Sequence, residues 1–104
     1  MSDKELYKIV NGFTKGLLGK RSSESMCFVV TWTLNSFLTC CGIKSKLVEG
    51  EIKLKNGYIA NHFWIELEDG KVIDPTADQF NSLSEHQMPN IFIGKKPKWY
   101  KIIK

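Results

Sequence analysis

The sequence predicts an α+β domain in which helices lie on one side of an antiparallel sheet. Two observations carry this. A charge-free run of sixteen residues, MCFVVTWTLNSFLTCC, is too long for a strand and reads as a helix. The residues after it alternate in polarity and are cut by Asn56-Gly57 and Asp69-Gly70, both hairpin signals. Two helical segments followed by a run of strands is an α+β order. The 104 residues make one domain, 1–104.

Asp3 to Leu18 reads as the first helix. Leu6, Ile9, Val10, Phe13 and Leu17 recur at steps of three and four and mark one apolar face. Gly12 and Gly16 weaken it. Residues 19–23 form a loop, and Ser22, Ser23 or Ser25 supplies the N-cap of the next element. The second helix runs from about Ser25 to Cys41. Cys27, Val30, Leu34, Phe37, Leu38 and Cys41 form its stripe, widened by Val29 and Trp32, so it is expected to be buried nearly all round. Gly42 closes it.

Ser45 to Leu54 is the first strand, with an irregularity expected at Gly50. Tyr58 to Leu67 is the second and Lys71 to Ile73 the third, ended by Pro75. Thr76 to Ser84 is a turn or short helix, followed by loop to Pro89. Ile91 to Ile93 and Trp99 to Ile103 read as short edge strands or packed coil. The sheet is expected to be a meander.

The 42% apolar content argues against disorder. No run reaches the about 18 apolar residues of a membrane span, and the first ten residues lack a secretion signal's apolar core. Three cysteines, two of them adjacent, do not make a disulfide framework, so a cytoplasmic, reduced chain is expected. The net charge is +4, with five lysines in GKKPKWYKIIK. No nucleic-acid motif accompanies them, so a solvated lysine-rich edge is the plainer reading. Neither CxxC nor HxxxH is present, and no metal or cofactor is expected.

Chemistry concentrates in three residues. Cys27 stands near the amino end of a helix, where unpaired backbone N–H groups and the helix dipole favour a thiolate and stabilise an oxyanion. Cys40 and Cys41 stand at the other end, where a thiolate is disfavoured. Cys27 also fits as a small buried apolar residue. His62 and Asp74 follow on two strands. With a two-residue Asp69-Gly70 turn, Asp74 falls opposite Ile65, on the face His62 does not use. With a three-residue Glu68-Asp69-Gly70 turn and a left-handed Gly70, Asp74 falls opposite Trp64, on the same face as His62 and diagonal to it. The second register is predicted, because it alone lets the carboxylate hold the imidazole. Trp64 shares that face and reads as a cleft wall or as core. Gln79 reads as a substrate contact or as a structural hydrogen bonder near Asp78. Asn61 and His86 read as surface residues.

Cys27 at a helix start, His62 opening HFWIEL, and VIDPTADQF around Asp74 together resemble the transglutaminase-like branch of the papain-like cysteine enzymes. Small bacterial and phage members, and the peptidases that process lasso-peptide precursors, have similar segments. The resemblance covers about Ser22 to Phe80. It implies a papain-like core, a peptide or protein substrate and a thioester route, with Cys27 as nucleophile, His62 as base and acid, and Asp74 as the orienting acid. The alternative is a binding module of the same fold, favoured by the short chain, the basic end, and the lack of a glutamine just before Cys27 to complete an oxyanion hole.

Overall fold

The structure, a computed structural model, describes residues 2–18, 27–54, 57–82 and 87–102, with the side chains of Leu18 and Cys27 outside that description. Two helices pack on one face of a five-stranded antiparallel sheet. The elements are α1 (Asp3–Leu18), α2 (Cys27–Cys40), β1 (Ser45–Lys53), β2 (Ile59–Leu67), β3 (Lys71–Asp74), a 3-10 turn (Ala77–Phe80), β4 (Phe92–Lys95) and β5 (Tyr100–Ile102). Ser22, Ser23 and Ser25, proposed as N-caps, lie outside the described residues, as do Asn56, His86 and Ile103.

Helix α1 starts where the sequence places it because Ser2 and Glu5 cap it together. The Ser2 hydroxyl accepts the Glu5 N–H at 3.1 Å and donates to the Glu5 carboxylate at 3.1 Å. Helix α2 ends in a Schellman motif. Ile43 N–H reaches the Leu38 carbonyl and Gly42 N–H the Thr39 carbonyl, with Gly42 at φ +82°.

Helix α2 corrects one expectation. It is buried along one face only, through Val30, Thr31, Leu34 and Leu38. Trp32 is 53% exposed and Phe28 50%, and Val29 and Cys41 are exposed too. Phe37 stacks on Phe13 of α1, with ring centroids 5.0 Å apart. Apolar content alone could not distinguish a helix surrounded by protein from one covered on a single side, because nothing in the sequence counts the neighbours available to cover it.

Each hairpin turn carries a left-handed glycine. The Leu54 N–H donates to the Tyr58 carbonyl, with Gly57 at φ +79°. The Gly70 N–H donates to the Leu67 carbonyl, with Gly70 at φ +91°. The β2–β3 ladder pairs Ile65 with Ile73 and Glu66 with Val72. This is the register of a three-residue turn, and it carries Asp74 to the level of Trp64.

The sheet order is β4-β3-β2-β1-β5, which corrects the expected meander: the last strand returns to pair with β1. Residues 96–99 join the two outermost strands. A flat five-strand sheet is about 19 Å from first to last strand, whereas five extended chain steps span at most about 18 Å. The Tyr100 N–H to Pro97 carbonyl bond of 3.1 Å shortens the link further. The sheet therefore curls, bringing β5 round toward β3.

Each face then has its own core. Leu6, Val10, Leu34, Leu38, Ile65, Ile73 and Ile91 fill the space between helices and sheet. Val48, Ile52, Trp64, Val72 and Tyr100 fill the inside of the curl, with Phe80, Met88, Phe92 and Trp99 packed against them. Asn81 closes this second core by binding both the Met88 carbonyl (2.8 Å) and the Met88 N–H (3.0 Å). The irregularity expected at Gly50 is absent: the β1–β2 ladder runs unbroken through the Gly50–His62 pair. Gly50 is needed for space instead, since a Cβ there would collide with the Trp64 ring and the Lys101 carbonyl.

Candidate functional site

His62 lies on β2 and Asp74 at the end of β3, both completely buried inside the curl. Strand alternation places His62, Trp64, Val72 and Asp74 on this face. Nε2 of His62 and Oδ2 of Asp74 are 2.7 Å apart. An ionised carboxylate only accepts, so the proton of this bond sits on Nε2, and in the neutral ring Nδ1 is the basic nitrogen.

The Asp74 carboxylate has two further donors. The Tyr100 hydroxyl donates to Oδ2 at 2.5 Å. The Thr76 N–H donates to Oδ1 at 3.1 Å, forming the turn that Pro75 follows into. Burial, the adjacent Asp74 charge and the hydrogen bond to it all push the Tyr100 hydroxyl far above the ordinary tyrosine value. Its proton is therefore fixed, and Tyr100 acts as a permanent donor. The imidazole is walled by Trp64 (centroids 6.2 Å apart), by Phe80 (5.3 Å) and by the Tyr100 ring (6.0 Å).

Helix α2 packs on the other face of the sheet. Leu34 and Leu38 meet Ile65 and Ile73. The Phe28 ring meets the Phe63 ring edge-on at 5.0 Å, and the Thr31 hydroxyl makes a long, 3.5 Å hydrogen bond to the Phe63 carbonyl. The first turns of α2 thus touch β2 one residue from His62, while the body of α2 lies across the face opposite the imidazole. Cys27 opens α2. Its side chain is outside the described residues, so the contacts that the structure establishes at this site are those of His62 and Asp74.

Trp64 is not a cleft wall. It is wholly buried, 4.9 Å from the Tyr100 ring between centroids and over Gly50, and no part of it is open to a substrate. Gln79 is half-buried in the 3-10 turn, its N–H donating to the Thr76 carbonyl at 3.0 Å and its side-chain oxygen buried. Asn61 is exposed on β2, as expected.

Tyr100 is the residue sequence reasoning missed. The signal was faint: a Tyr at the head of a short apolar alternation in a lysine-rich end. Only the return of β5 to β1, a pairing fifty residues apart, turns its hydroxyl toward Asp74. Among the described residues, no group of three or more His, Cys, Asp or Glu could hold a metal ion, and no helix is long and apolar enough to cross a membrane. No protein-family model, curated protein or solved structure matches the chain.

Proposed function

We propose that the chain is a cysteine-dependent acyl-transfer enzyme on a papain-like core, hydrolysing a peptide or amide bond. Cys27 is the nucleophile, His62 the general base and acid, and Asp74 the residue that orients the ring. The observation that carries this reading is the 2.7 Å His62–Asp74 bond inside the core. Apolar side chains would fill that space more stably, and a buried histidine held by a carboxylate is the arrangement that general-base chemistry uses.

The steps follow from the tautomer. Nδ1 of His62 takes the Cys27 proton, and the thiolate adds to the acyl carbon. Backbone N–H groups at the start of α2 receive the oxyanion. His62 then returns the proton to the leaving amine, leaving a thioester that water hydrolyses by the same base. The reading requires the thiol to come within about 4 Å of Nδ1.

Acylation tests it. Incubation with p-nitrophenyl acetate should release a burst of one equivalent of nitrophenolate and leave one acetyl group on Cys27. Cys27→Ala should abolish both. Acetylation spread over Cys40, Cys41 and the lysines, with no burst, would sink the proposal.

The second reading is a binding module that acts on a protein partner. The exposed Phe28, Val29 and Trp32 on α2 favour it, since exposed apolar clusters mark interaction surfaces. In this reading Cys27 reacts as an ordinary thiol.

A further inference from the structure

We infer that Tyr100 is a positioning residue for the His62–Asp74 pair, acting through the carboxylate without touching a substrate. This rests on the proposed site and adds a residue to it.

Tyr100 and His62 share a single acceptor atom, Oδ2 of Asp74, at 2.5 and 2.7 Å. The tyrosine comes from β5 and the carboxylate from β3, with β2 and β1 between them. Side chains standing on a flat sheet would be about three strand spacings, or roughly 14 Å, apart at their bases and would not meet. The contact therefore exists only because the sheet curls. Conversely, a phenol buried at 2% exposure needs an acceptor, and Asp74 supplies it.

Two effects follow. First, a carboxylate with three donors, counting the Thr76 N–H at Oδ1, has one orientation, and so does the imidazole bonded to it. Second, a strong donor at Oδ2 draws charge away from the oxygen that faces the ring. An imidazolium at His62 is then less favoured than it would be beside a carboxylate free of the phenol. Tyr100 thereby limits the basicity of His62. Among the described residues, the titratable groups meeting this ring are Asp74 from β3 and Tyr100 from β5. Trp64 of β2 and Phe80 of the 3-10 turn complete its surroundings. The Cys27 thiol joins them at the proposed site.

The experiment is a histidine-selective NMR titration of the wild type and Tyr100→Phe, repeated on a Cys27→Ala background. In the wild type the ring nitrogen shifts should report a proton on Nε2 throughout the neutral range. Tyr100→Phe should raise the His62 titration midpoint by about half a unit or more. An unchanged midpoint, within about 0.2 unit, would overturn the inference and leave Tyr100 a core residue. Should Tyr100→Phe fail to fold, the wild type still decides. Ultraviolet titration should show Tyr100 staying protonated until the chain unfolds; ionisation of all three phenols in the folded protein would refute the shared-acceptor contact. The Cys27→Ala background separates the two claims. A midpoint shift that persists there upholds the role of Tyr100 even if acylation of Cys27 fails.

Discussion

Tyr100 on β5 donates to Asp74 on β3 across a sheet in which two other strands lie between them. That bond depends on the curl that the short link through residues 96–99 imposes. The same carboxylate is fixed from the other side by the turn at Gly70, which sets the β2–β3 register. Two local features, the 96–99 link and the Gly70 turn, thus converge on one carboxylate.

Removing that oxygen should be costly. Asp74→Ala leaves the His62 Nε2–H, the Tyr100 hydroxyl and the Thr76 N–H without their acceptor in a buried site. The expected loss is about 3 kcal/mol or more by urea unfolding. Asp74→Asn keeps the shape and one acceptor oxygen, so its loss should be smaller. A large loss for Asp74→Ala beside almost none for Asp74→Asn would show that this side chain contributes through packing alone.

Glycine substitutions should divide by position. Gly50→Ala would drive a methyl group into the Trp64 ring and the Lys101 carbonyl, neither of which can retreat, and should cost at least about 2 kcal/mol. Gly70→Ala meets no neighbour but must hold a left-handed φ of +91°, and should cost about 1 kcal/mol. Gly12→Ala and Gly16→Ala meet no atoms within 4 Å on a regular helix and should each stabilise by up to about 1 kcal/mol. Thermal unfolding of the four variants checks the order, and a stabilising Gly50→Ala would refute the close approach of β5 to β1.

Alkaline stability should depend on Tyr100. Its hydroxyl value is raised in the folded chain, whereas an unfolded tyrosine ionises near pH 10. Above about pH 10 the unfolded state therefore releases a proton that the folded state keeps, and stability falls as pH rises, by up to about 1.4 kcal/mol per unit from this group. Tyr100→Phe should show a shallower decline between about pH 10 and 11, measured by urea midpoints. The same slope in both proteins would contradict a buried, raised Tyr100.

Much of this was legible in the residues. The apolar steps of Leu6, Val10 and Phe13 placed α1, and Gly42 closed α2. Gly70 set the register, because only a three-residue turn brings a carboxylate to the face of His62. What was not legible depends on distant chain meeting distant chain. Trp64 alternates like a cleft residue, and it is buried because the curl brings Tyr100 from β5 over it. Helix α2 has the composition of a central helix, yet Phe28, Val29 and Trp32 are about half exposed. Tyr100 itself carries no motif, and its role follows from a pairing that local pattern does not encode.

The most direct test of the account is the rate of iodoacetamide alkylation at each cysteine, mapped by mass spectrometry from pH 5 to 9. Cys40 and Cys41 are exposed and serve as internal references. Cys27 should react at least about tenfold faster than either at pH 6, and His62→Ala should remove that advantage. Equal rates at the three thiols, unchanged by His62→Ala, would contradict it.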